Sequence, residues 1–154
     1  MGALQIRQDD LSGEATRALL ALHLSGMHQS SPPGEVFALD VSGLQQSNVT
    51  VWTAWDGDSI AGMGALKVLG GGIGEVKSMR THPDHTRKGV GSALLERIIS
   101  EARSRGCHRL SLETGTGPPF DPALALYRKR GFVAGAEFGE YKKSAFSQFL
   151  HLEL

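Results

Sequence analysis

The segment that most constrains this chain runs from a β-prone stretch into a basic, glycine-containing loop and out along an amphipathic helix. It reads Thr81-His82-Pro83-Asp84-His85-Thr86-Arg87-Lys88-Gly89-Val90-Gly91-Ser92-Ala93-Leu94-Leu95. Beyond the loop, Val90, Leu94, Leu95, Ile98, Ile99 and Ala102 recur along one helical face, and Gly106 supplies a C-terminal stop. Glycines allow close backbone approach to an anion, and the first amides of a helix lack internal acceptors. The helix dipole adds partial positive charge there, so residues 87–92 suit a pyrophosphate. Arg87 and Lys88 either add side-chain contacts or are solvated loop charges.

Two common phosphate-binding patterns are absent from this segment. A Walker loop needs Gly-Lys-Ser or Gly-Lys-Thr, and neither triplet occurs. A dinucleotide-binding fingerprint needs glycine where Leu94 stands, and it opens directly after its strand rather than seven residues later.

The flanking sequence predicts one domain of alternating elements. A first strand over residues 4–8 leads to a helix over 13–27, which Pro32 and Pro33 break because they lack an amide and fix the backbone. A short helix near 40–46 precedes a strand over 49–55 with β-branched and aromatic content. Asp56-Gly57-Asp58 turns into a strand over 59–68, and Gly70-Gly71-Gly72 into another over 73–81. After the helix over 88–105 come a strand over 109–114 and a helix with Asp121 as N-cap and Pro122 in its first position, ending at Gly131. Strands over 132–138 and 146–152 bring the total to seven. Trp52 and Trp55, three apart on a strand, face opposite sides.

Charge balance excludes some partners. Lys plus Arg number 16 and Asp plus Glu 16, so no excess charge argues for nucleic acid or an acidic membrane surface. The single Cys107 forms no internal disulfide and suits a reducing, cytoplasmic setting as a core residue. No apolar run approaches membrane-spanning length. His82 and His85 lie three apart without further ligands nearby, so they read as loop residues and no metal is expected.

The residues 81–95 resemble the GNAT superfamily of N-acetyltransferases, whose loop runs Gln or Arg, two variable residues, Gly, one variable residue, then Gly or Ala. Thr86 stands at the first position, and Gly89 and Gly91 match the glycines. A second match lies at Ala123-Leu124-Ala125-Leu126-Tyr127-Arg128-Lys129-Arg130-Gly131-Phe132, with Phe120 where the family commonly carries Asn. The region around residues 28–40 and the tail also look like a bacterial subgroup with Ser-Pro-Pro and Leu-Glu-Thr-Gly segments.

The resemblance implies an α/β (α+β) fold with a mixed, mostly antiparallel seven-stranded sheet, flanked by helices and splayed between the fourth and fifth strands. It implies acetyl-CoA as co-substrate, held by Met79, Arg80, Thr81, Arg87, Lys88, Gly89, Val90, Gly91 and Ser92. A backbone donor near Met79 would polarise the thioester carbonyl, and Tyr127, also against the cofactor, would protonate the departing thiolate. Glu75 is the expected general base, with Glu113 or water as alternatives. His28, Ser31 and Glu113 are expected around the acceptor. The expected reaction is direct acetyl transfer, in a ternary complex, to a primary amine of a small molecule. Two other readings stay open: a regulatory protein that binds acyl-CoA without turnover, and an enzyme acting on protein N-termini or lysines. A homodimer joined through the last strands would follow a common habit of the family.

Overall fold

β-Branched and aromatic side chains favour the half-buried pleated surface of a sheet. In the computed structural model, which describes residues 4–154, seven segments join one sheet. They are β1 (Gln5–Asp9), β2 (Val49–Asp56), β3 (Ser59–Gly70), β4 (Ile73–Thr81), β5 (Arg109–Gly115), β6 (Val133–Gly135) and β7 (Ser147–Glu153). Their spatial order is β1-β2-β3-β4-β5-β7-β6. Neighbours pair antiparallel except β4 and β5, which run parallel. The helices are α1 (Glu14–Ser30), α2 (Val41–Leu44), α3 (Val90–Ser104) and α4 (Asp121–Lys129). Among the described residues, no helix is long and apolar enough to cross a membrane.

The period-two alternation of β2 divides the apolar side chains between two cores. Trp52 and Ala54 pack with Leu94, Leu95, Ile98 and Ile99 of α3, whereas Val51 and Trp55 lie on the other face with Leu19 and Leu20 of α1. Each fully buried aliphatic side chain contributes roughly 1.5–3 kcal/mol relative to exposure. The helical stripe of α3 thus fixes which end of β4 its N-terminus meets. Cys107 is buried in the α3 core.

Three boundaries differ from the sequence expectation for local reasons. Helix α1 continues to Ser30, because the residue that a following proline forces into an extended conformation is Ser31 (φ −129°, ψ 144°). Asp121 does not cap α4. A 3₁₀ turn over Pro118–Phe120 has already wound the chain, so Asp121 is the first helical residue and its charge favours the helix only through the dipole. The expected strand over 132–138 shrinks to β6, because Phe132 turns inward against Tyr127, with ring centroids 5.8 Å apart, while Phe138 joins Tyr141 and Phe149 in an aromatic cluster.

The parallel pairing sets up the site. β4 and β5 match only over Ile73, Gly74 and Glu75 against Arg109, Leu110 and Ser111. Beyond Glu75 the two strands diverge, leaving the β4 edge from residue 76 to 81 without a strand partner on that side.

Candidate active site

Backbone geometry builds one half of the site. After a 3₁₀ turn over Pro83–His85, Arg87 and Gly89 both take left-handed backbone angles (φ 63° and 77°), and Gly89 is the cap of α3. A side chain at such a position costs about 1–2 kcal/mol, which glycine avoids and Arg87 bears. The first bond of α3 runs from the Ala93 amide to the Gly89 carbonyl at 3.0 Å. Ahead of it, the amides of Arg87, Lys88, Gly89, Val90, Gly91 and Ser92 find no acceptor among the described residues. The Lys88 side chain is engaged within the chain: its Nζ lies 3.4 Å from Asp56 and 3.2 Å from His85 Nδ1, tying the loop to the β2–β3 turn. His82 accepts from the Asp84 amide and shapes the same turn.

From this loop a groove runs along the open β4 edge, lined by Met79, Arg80, Thr81, Gly91, Leu126 and Tyr127. Within β4 the register against β3 slips, so that Ser78 and Met79 together face Gly64. Ser78 takes φ 56°, the mark of a bulge that disrupts the ladder locally. A Cβ on Gly64 would meet Met79 Sδ at 2.6 Å, so glycine is what lets the bulge sit there. An unpaired strand edge, a bulge and a rank of free amides together fit an extended chain running into a diphosphate, as the pantetheine arm of coenzyme A does.

Side chains build the other half. The groove opens onto a cavity of about 220 Å³ whose walls include His23, Glu75, Lys77, Ser78, Arg80 and Glu113. Met79 and Tyr127 border both spaces. Tyr127 is buried, and loss of solvent pushes its phenol well above the usual range, so it is neutral and holds its proton.

Glu75 is almost wholly buried and already engaged: Tyr141 Oη donates to it at 2.5 Å and Lys77 Nζ at 3.1 Å. Burial, with the Glu75 carboxylate nearby, also raises the Tyr141 phenol, so it remains a donor. Glu113 accepts from Ser147 Oγ at 2.8 Å, and burial raises its pKa above the ordinary carboxylate range despite that bond and Lys77.

The structure therefore brings Glu75, Glu113, Met79, Arg80 and Tyr127 together. His28 and Ser31 sit apart, lining a separate depression with Pro32, Pro33 and Gly34. The part of α1 that faces the cavity is instead His23, Gly26, Met27 and Ser30, on a different face of the helix from His28. Sequence reasoning also missed Tyr141, which reaches Glu75 from 66 residues away. At the Asn position of the family, Phe120 packs edge-on against Phe146 with ring centroids 5.4 Å apart. Among the described residues, no group of three or more His, Cys, Asp or Glu is gathered to hold a metal ion.

A parallel break in an antiparallel sheet, with a diphosphate-ready helix N-terminus at its mouth, defines the class as an acyl-CoA N-acyltransferase fold. Comparison with known proteins gives the family. The acetyltransferase (GNAT) family matches residues 15–132. The chain is 48% identical to the uncharacterized N-acetyltransferase YedL of Escherichia coli, over 97% of this chain and 94% of that protein. It is 44% identical to the uncharacterized N-acetyltransferase YsnE of Bacillus subtilis, over 98% and 100% respectively. A putative acyl-CoA N-acyltransferase from Klebsiella pneumoniae superposes with a TM-score of 0.80 at 26% identity, covering 98% of this chain and 97% of that one. A Bacillus subtilis acetyltransferase in complex with CoA superposes with a TM-score of 0.73 over 99% of both chains, and at 22% identity it bears on the fold alone. The chain belongs to the GNAT family: it is an N-acetyltransferase with acetyl-CoA as its co-substrate.

Proposed function

We propose that the protein transfers the acetyl group from acetyl-CoA directly to a primary amine of a small molecule, both substrates being bound together. The observation that carries this reading is the seam: Met79 and Tyr127 border both the cofactor groove and the carboxylate-lined cavity. A cavity of about 220 Å³ lies below the several hundred Å³ usual for drug-sized ligands, which favours a small acceptor over a protein segment.

Acetyl-CoA supplies the activated acetyl group. The free amides of residues 87–92 hold its diphosphate, and backbone groups of Met79 and Thr81 hold its arm along the β4 edge. Fixing both reactants at the seam removes several kcal/mol of barrier. Glu113, with its raised pKa and single hydrogen bond, takes the ammonium proton; Glu75 is committed to Lys77 and Tyr141 and holds that wall in place. The new N–C bond forms as the C–S bond breaks, a backbone amide at the Met79 bulge polarises the carbonyl, and Tyr127 gives its proton to the leaving sulfur. The second proton on the former amine returns the phenol to its neutral form through solvent.

Release of free thiol from acetyl-CoA across an amine panel tests the reading. Turnover with at least one small amine is expected, and Tyr127→Phe should lower kcat roughly 100-fold or more while leaving the KM for acetyl-CoA in place. Thiol release unaffected by Tyr127→Phe would remove the acid role, and binding without release for every amine would reduce the protein to an acyl-CoA-binding regulator.

A further inference from the structure

Arg80 carries a charge that the chain leaves unanswered. Its Nε donates to His23 Nδ1 at 3.1 Å and its Nη2 to the His23 carbonyl at 3.2 Å, and no carboxylate forms an ion pair with it among the described residues. His23 gives no compensation. Burial, then the neighbouring guanidinium, lower its pKa to about 4, so it stays a neutral acceptor at physiological pH. Two of the five guanidinium N–H groups are thus used for fixing, which leaves three for a ligand of the cavity that Arg80 lines. Gly26 makes room for this arrangement: a Cβ there would meet Arg80 Nη2 at 2.5 Å.

A second observation points the same way. Ser78 is more than nine-tenths buried, lines the same cavity and has no hydrogen-bond partner for its Oγ. A buried hydroxyl without a partner is costly unless a ligand completes it. The arm of coenzyme A that reaches the seam is uncharged, so on the cavity side an anionic acceptor is what would answer Arg80.

Resting on the reading of a small amine acceptor, we infer that the substrate is an α-amino carboxylate whose acid group is bound by Arg80 and Ser78. Arg80 borders both the groove and the cavity, which sets the length of the substrate. A carboxylate anchored at that border keeps an α-nitrogen at the seam, beside Met79 and Tyr127. A nitrogen several carbons away would be carried off it, and the side chain of an α-amino acid is left to fill the space between Phe37 and Glu113.

The test uses the full chain, acetyl-CoA and the twenty common L-amino acids, each paired with its decarboxylated amine and its carboxamide, plus 6-aminohexanoate. The best acid is expected to exceed its amine and amide counterparts by roughly 10- to 100-fold in kcat/KM, the range of a hydrogen bond to a charged group, and 6-aminohexanoate to be poor. Arg80→Gln should collapse that ratio toward one. Gly26→Ala, which keeps the guanidinium but displaces it, should raise the KM for the acid more than it lowers kcat. Equal use of acids and amines, or a uniform loss across the panel in Arg80→Gln, overturns the inference while leaving the acetyltransferase reading intact. Absence of turnover with every compound, despite acetyl-CoA binding, overturns both.

Discussion

The two halves of the site are made of different material. On the cofactor side the chain works with its main chain: free amides at the start of α3, a bulge in β4 and an unpaired strand edge. On the acceptor side it works with side chains drawn from α1, β4, β5 and the segment after β6. A backbone device tolerates substitution at most of its positions and serves one ligand. A side-chain wall changes with each substitution, so the same groove can be kept while the acceptor varies.

The largest expected effect separates the halves by chemistry. Glu113→Gln should lower kcat roughly 100-fold near neutral pH and remove the ascending acid limb of the pH-rate profile, with binding of acetyl-CoA unaltered. That limb should lie above the ordinary carboxylate range, since burial raises the Glu113 pKa. A carboxylate whose folded pKa is raised favours the fold only while protonated, and that contribution is lost as pH rises through the raised value. Thermal melts should therefore find Glu113→Gln more stable than the parent at pH 8, with the gap closing as pH falls. A pH-rate profile that survives the change, with loss of the limb in Glu75→Gln instead, would return the base role to Glu75.

A second effect, of similar size but on stability, also belongs to the acceptor wall. The pKa of His23 falls from 6.5 unfolded to about 4 folded, so the unfolded chain binds the extra proton between those values. Stability should be fully present above pH 6.5 and decline by roughly 3 kcal/mol as pH drops toward 4. Urea titrations across that window should show the decline in the parent and a flatter course in His23→Gln.

The smallest effect tests the backbone half. Gly89→Ala places a side chain at φ 77°, which costs about 1–2 kcal/mol. It should weaken coenzyme A binding by roughly 10-fold and leave the acceptor preference untouched. A shift in acceptor preference would break the division between the halves.

Legibility in the sequence followed the same line. The bounds of β4 and the apolar stripe of α3 could be read because they depend on local periodicity, and Gly89 and Gly91 because close backbone approach to an anion calls for glycine. The acceptor wall could not be read in that way. His23 meets Arg80 across 57 residues and Tyr141 meets Glu75 across 66, and no local pattern announces either contact. His28 and Ser31 were expected at the acceptor from the resemblance, whereas the positions of α1 that face the cavity are His23, Gly26, Met27 and Ser30, a difference of helical face that the resemblance does not resolve. The N-cap assigned to Asp121 failed because the sequence did not disclose that Pro118 and Pro119 start winding the chain before the helix.

If main-chain amides of residues 87–92 grip a diphosphate, calorimetry with coenzyme A against pantetheine reads it most directly. Several charge-assisted hydrogen bonds are at stake, each worth about 1.5–3 kcal/mol, so coenzyme A should bind at least roughly 100-fold more tightly than pantetheine, which lacks the diphosphate and the nucleotide beyond it. Equal affinity for the two, or no heat with coenzyme A at all, would contradict the account.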